Sequence, residues 1–183
     1  AFCFSQSFMH GAGAGVFINL SPFIKPAIPT VLTYSPRINF IETNSLSVSA
    51  GIPFSIGFGT TYYTNYYSSN ELDVENTTTY VINVPAMINL NVGTGSSRQA
   101  EKRFGFFVGG GFAYQYGSYV LNEYNAVRGE YEKVKETSVG PAGNIGLRFA
   151  VGKHRKNIEA KFSYMRSLKG DKTSALGIVA LFN

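Results

Sequence analysis

The sequence predicts an all-β chain: eight antiparallel strands in up-and-down order, closed into a transmembrane β-barrel. Three observations carry that prediction. Large apolar and small residues alternate with period two through most of the 183 residues, the repeat of an extended strand with two unlike faces. Charged residues make up 15% of the chain against 44% hydrophobic and 15% aromatic, whereas a soluble domain carries about a quarter as Asp, Glu, Lys and Arg. Long and short connections alternate, as they do when hairpins turn on two sides of a bilayer.

The length suits one domain. We assign 7–183 to a single barrel and read 1–6 as a signal-peptide remnant or a disordered N-terminus. Ala1-Phe2-Cys3-Phe4-Ser5-Gln6-Ser7 has the look of an apolar export segment running into a small-residue cleavage site, so export through a cleaved signal peptide is expected. Cys3 is then a leftover, and Phe2 beside it argues against a lipobox. The apolar content excludes disorder and a coiled coil, the single cysteine excludes a disulfide scaffold, and no apolar run approaches the ~20 residues of a membrane helix.

The strands follow in order. About His10 to Leu20, Ala12, Ala14, Val16 and Ile18 oppose Gly11, Gly13 and Gly15. From Val31 to Glu42, Leu32, Tyr34, Ile38 and Phe40 oppose Thr33, Ser35, Arg37 and Asn39. From Ser45 to Thr60, Leu46, Val48, Ala50, Ile52, Phe54, Ile56 and Phe58 oppose a serine and glycine face. From Thr79 to Val92, Tyr80, Ile82, Val84, Ile88 and Leu90 oppose Asn83, Asn89 and Asn91. Phe104 to Gly117 sets Phe106, Val108, Phe112 and Tyr114 against glycines, and Val139 to Val151 sets Ile145, Leu147 and Phe149 against Asn144 and Arg148. Ile158, Ala160, Phe162 and Tyr164 oppose Glu159, Lys161 and Ser163, and the last strand, Thr173 to Asn183, places Leu176, Ile178 and Phe182 on one side. Each strand is expected to run about a dozen residues. Connections 21–30, 61–78 and 119–137 read as long loops, 43–45 and 152–157 as tight turns. Gly93 to Arg103 is long for a turn and Gly170 to Lys172 short for a loop.

The apolar face is expected to point outward. An eight-stranded interior is just wide enough for its own side chains, with no room for a dozen Phe and Tyr, while a face of Gly, Ser, Ala and Asn is a poor soluble exterior. A soluble lipocalin-like ligand-binding barrel, with the faces reversed, is the alternative.

Leu32-Thr33-Tyr34-Ser35-Pro36-Arg37, Ser45-Leu46-Ser47-Val48, Val108-Gly109-Gly110-Gly111-Phe112 and Gly143-Asn144-Ile145-Gly146-Leu147-Arg148 resemble the eight-stranded outer-membrane β-barrel proteins of the OmpA, OmpX and OmpW type, above all the Bacteroidetes-type barrel domain. The resemblance covers the chain from Ser7 onward. It implies a Gram-negative outer-membrane, cell-surface protein, and an amphipathic last strand read by an insertion machinery. Leu176 to Phe182 fits that signal, although Asn183 follows the aromatic residue.

The candidate sites are two. Arg37, Asn39, Asn144, Arg148, Glu159 and Lys161 face the lumen and are expected to form a polar network, since charges within a membrane wall persist only when paired. Its three cations to one acid raise the alternative of a narrow, weakly anion-preferring pore. The second site is the pair of loops 61–78 and 119–137, whose Tyr62, Tyr63, Tyr66, Tyr67, Tyr124 and Tyr131 suit surface recognition, an adhesin-like role. Expected partners are outer-membrane lipid and lipopolysaccharide or an extracellular protein or glycan, met by a monomer. The +5 charge lies mostly in connections, with no recognition helix or RNP-like run, so no nucleic acid is expected. His10 and His154 stand apart from any Ser and acid pair, and no Cys/His cluster has ligand spacing; catalytic residues, metal and cofactors are not expected.

Overall fold

The computed structural model describes residues 7–21, 24–25, 27–66, 72–97, 100, 102–125, 130–151, 156–169 and 174–183; at 62–66, 72–75, 122–125 and 130–132 it describes the backbone alone. Nine strands follow in chain order: β1 (Ser7–Leu20), β2 (Thr30–Glu42), β3 (Leu46–Gly51), β4 (Phe54–Tyr66), β5 (Leu72–Gly93), β6 (Phe104–Asn125), β7 (Glu130–Val151), β8 (Lys156–Arg166) and β9 (Ser174–Phe182). All pairings are antiparallel: β1 pairs with β2 and with β9, β3 and β4 each pair with β2 and with β5, and from β5 to β9 each strand pairs with the next, which closes the sheet into a ring.

The ring has the eight predicted staves, with the third in two pieces. Strands β3 and β4 share one register between β2 and β5: Gly51 faces Arg37 and Met87, Phe54 faces Tyr34, and Ser55 faces Asn83. Pairing lapses at Ile52 and Pro53. Proline has no N–H to give a ladder, and the shared register sets Pro53 against Pro85, so neither residue can donate at that level.

Alternation sorts the faces as expected. Leu32, Phe58, Ile88, Phe112, Ile145 and Phe182 are among the large apolar side chains exposed on the outside, Leu32 by 66%. The small and polar faces turn into the lumen, where Ser47, Ser49, Asn39 and Asn91 are fully buried, beside an apolar cluster of Phe17, Val31, Val81, Val179 and Leu181. An exterior of this kind requires hydrocarbon, which excludes the soluble carrier. Along β6 the exposed apolar positions run from Phe104 to Tyr114, ten steps of about 3.3 Å that at a tilt of about 40° span roughly 25 Å, the height of an outer-membrane apolar band.

Strands β5, β6 and β7 reach 22 residues each, well beyond a dozen, and this corrects the reading of 61–78 and 119–137 as loops. The backbone of Thr61 to Tyr66 pairs with that of Leu72 to Thr77, and Ser118 to Asn125 pairs with Glu130 to Lys135 around a bulge. Both segments are rich in Thr, Tyr and Val, which favour strand, and an extended hairpin satisfies backbone groups that a loop would leave to water. Their polar residues on both faces had the look of loop, although Thr61, Tyr119 and Val120 at the base of the hairpins are buried.

At the end of the barrel that holds Ser7 and Asn183, the connection after β5 folds inward. Gly93 to Ser97 are all buried, and Gly93 and Gly95 take positive φ, 80° and 69°. That explains the excess length of this turn: it fills the mouth. A Cβ on Gly95 would also stand 2.9 Å from Arg148 Cδ. Gly95→Ala is therefore expected to lose about 1–2 kcal/mol, read as a lower urea midpoint with an unchanged slope.

Candidate functional site

The inward turn meets a polar network built from five strands. Arg148 on β7 lies opposite Glu159 on β8, and its Nε donates to Glu159 Oε2 at 2.7 Å. Arg148 Nη1 donates to Asn91 Oδ1 at 2.9 Å and to Gly95 O at 3.4 Å, while its guanidinium lies 4.3 Å from the centroid of the Phe107 ring. Arg37 on β2 donates from Nη1 to Glu159 Oε2 at 3.4 Å and from Nη2 to Gly95 O at 2.9 Å. Asn39 Nδ2 donates to Ser96 O at 2.8 Å and Ser7 Oγ at 3.1 Å. Asn183 Nδ2 adds a third donor to Glu159 Oε2 at 3.3 Å. Arg148 is 2% exposed and Glu159 3%. So complete a set of donors around one carboxylate holds the charges and the turn in place, as a low-dielectric interior demands.

Four of the six predicted lumen residues meet here: Arg37, Asn39, Arg148 and Glu159. Asn144 and Lys161 do not join them. Asn144 precedes Arg148 by four residues, about 13 Å along a strand, and Lys161 lies two residues beyond Glu159 on the same face. Both line a separate cavity of about 30 Å³ higher in the lumen. Alternation assigned the right face to all six but not the level along the barrel axis.

Asn91, Gly95, Ser96 and Asn183 were missed as members. Asn91 also donates from Nδ2 to Ser49 Oγ at 2.9 Å and Ser47 Oγ at 3.2 Å; its inward parity was visible, its partners were not. Below the network Thr94 Oγ1 donates to Asn157 Oδ1 at 2.8 Å, tying the turn to the base of β8. In the cavity wall Gln115 Nε2 donates to Asn19 Oδ1 at 2.6 Å and to Tyr119 Oη at 2.9 Å.

The opposite end of the barrel carries the predicted recognition segments. Tyr67 lies outside the described residues, as do the side chains of Tyr62, Tyr63, Tyr66, Tyr124 and Tyr131, whose backbones continue the strands. Among the described side chains there, Tyr80 Oη donates to Tyr116 Oη at 3.3 Å, their rings 5.9 Å apart, at the level where an aromatic girdle marks a bilayer boundary. Beyond that pair Lys133 and Lys135 are exposed, and Lys133 Nζ donates to Thr78 O at 2.7 Å across to the neighbouring hairpin. The connection between β1 and β2 leans on the same region, with Lys25 N donating to Val120 O at 2.8 Å. His10, at the other end, faces outward between Phe8 and Tyr34; His154 lies outside the described residues.

No protein-family model and no curated protein matches the chain. Among solved structures, neisserial surface protein A matches with a TM-score of 0.61 and 15% identity over 97% of each chain. The fold is that of an eight-stranded outer-membrane β-barrel. The attachment invasion locus protein Ail of Yersinia pestis matches this outer-membrane barrel with a TM-score of 0.57 and 10% identity, over 98% of this chain and 97% of that one. Ail in complex with the heparin analogue sucrose octasulfate matches with a TM-score of 0.52 and 14% identity over 97% of each chain.

Proposed function

We propose that this outer-membrane barrel is a surface protein of a Gram-negative bacterium whose outer hairpins bind an anionic glycan. The observation that carries the reading is the extension of the β4–β5 and β6–β7 hairpins past the apolar band, with Lys133 and Lys135 exposed on the second. A two-stranded ribbon anchored in a closed barrel is a stiff mount, and exposed ammonium groups on it attract sulfate and carboxylate groups with the salt dependence of surface charge. The complex of Ail with a heparin analogue, on the same fold, supports a glycan over a protein partner. The reading makes no use of the lumen as a passage: Arg37, Arg148, Glu159 and the inward turn occupy the mouth through which an anion-preferring pore would open.

The test uses the full chain refolded in detergent and sucrose octasulfate as probe. Binding is expected to weaken with added salt, and the Lys133→Ala/Lys135→Ala double variant is expected to lose at least about tenfold, the equivalent of about 1.4 kcal/mol, while unboiled gel mobility stays that of the folded barrel. Binding of equal strength in the folded variant would refute the reading.

A further inference from the structure

We infer that the mid-lumen cavity binds one small inorganic anion of chloride size against the ammonium of Lys161. The surface reading plays no part in this inference. Lys161 is more than nine-tenths buried and makes neither a hydrogen bond nor an ion pair in the described structure. Its neighbours across the two adjacent strands are Gly146 and Val179, neither of which carries charge.

The nearest acid along the strand is Glu159, and its carboxylate is already engaged. Oε2 receives Arg148 at 2.7 Å, Asn183 at 3.3 Å and Arg37 at 3.4 Å. Among the described residues the buried charged side chains are Arg37, Arg148, Lys161 and Glu159, three cations and one anion. The part-buried Glu42, which accepts from Ser7 and Asn39 at the mouth, offsets one of the two surplus charges, and at least one is left over inside a wall that faces hydrocarbon, where an uncompensated ion is expensive.

The cavity supplies the place for compensation. Its volume of about 30 Å³ exceeds the ~10–15 Å³ needed for one water and suits a halide better than a polyatomic anion. Asn144, Asn83, Ser55, Ser163 and Gln115 line it beside Lys161. Asn144 Oδ1 is buried with no partner, and rotation of that amide by half a turn presents its N–H₂ to the same space. Ser163 Oγ donates to Gly177 O, Ser55 Oγ pairs with Thr33 Oγ1, Asn83 Nδ2 donates to Gln115 and Gln115 Nε2 to Asn19 and Tyr119, which leaves the Lys161 ammonium and the turned Asn144 amide as the donors that hold a halide there.

Two measurements on the full chain in detergent test this. Crystals grown with bromide as the sole halide are expected to show an anomalous peak within hydrogen-bond reach of Lys161 Nζ. In solution, urea unfolding at constant ionic strength with chloride replacing gluconate is expected to raise the folded-to-unfolded ratio about tenfold for each tenfold rise in chloride above its dissociation constant. Lys161→Met, which removes the charge and keeps the bulk, is expected to abolish both responses while remaining a heat-modifiable barrel. Should Lys161→Met fail to fold, Asn144→Ala and Lys161→Arg are to be compared, with a weakened and a retained chloride response expected. A cavity without a bromide peak, together with a chloride response equal in wild type and the folded variant, would overturn the inference.

Discussion

Glu159→Ala is expected to destabilise the barrel by about 3–5 kcal/mol, more than any other single side-chain truncation in the lumen. The carboxylate it removes is the common acceptor of Arg37, Arg148 and Asn183, and the variant leaves two guanidinium groups buried without an anion. Breaking a buried pair from one side has that magnitude, whereas replacing the whole set with apolar groups of similar volume is often neutral. The pair of outcomes separates charge from packing: the single variant should shift the urea midpoint strongly, and Arg37→Met/Arg148→Met/Glu159→Met should recover most of the loss. A shift below about 1 kcal/mol for Glu159→Ala would mean that solvent reaches the network and screens it as at a surface.

Gly13→Val is expected to abolish closure. Gly13 lies on β1 opposite Leu181 of β9, and a Cβ placed there would stand 1.8 Å from Ala180 O and 2.7 Å from Leu181 Cα. Those atoms are backbone and cannot step aside without losing the rungs that join the first and last strands. The expected cost exceeds the ~3 kcal/mol of ordinary overpacking, seen as loss of the compact unboiled band on a gel. Gly143→Ala is the matched control, since the nearest heavy atom to its Cβ would be Gly109 O at 3.8 Å, and it is expected to stay within about 0.5 kcal/mol of wild type.

These two sites mark how far the sequence alone could be read. Alternation was legible because lipid and lumen demand opposite residue types, so the glycine face of β1 and the inward aim of Arg37, Arg148 and Glu159 followed from parity. Parity does not carry axial height. Asn144 and Lys161 were grouped with the network although Asn144 stands four residues from Arg148 on one strand, which the sequence itself shows; the level of Lys161 needed the register between β7 and β8, which sets it opposite Gly146 and not Arg148. The inward turn was legible only as an anomaly of length, because Gly93 to Ser97 are buried by what surrounds them and not by their own apolar character. The break at Ile52 and Pro53 was open to detection from Pro53 itself, but its alignment with Pro85 needed the cross-strand register. The outer hairpins were misjudged for a different reason: beyond the bilayer both faces of a ribbon meet water, and the two-fold contrast that announces a strand disappears.

The contact between Arg37 and Glu159 joins residues 122 apart in sequence, and it spans the seam where β1 meets β9. In a sheet inserted but still open, β2 and β8 lie toward opposite edges, five strand spacings apart and so separated by about 24 Å. Arg37 then faces no carboxylate, and Glu159 has lost one of its partners, with hydrocarbon on every side of the unfinished wall. Joining the edges restores both at once, which penalises the half-built ring and favours the closed one. The network thus acts as a latch that engages only in the last step of assembly, so that the barrel should form and unfold as one cooperative unit, slowly, as its long-range pairing dictates.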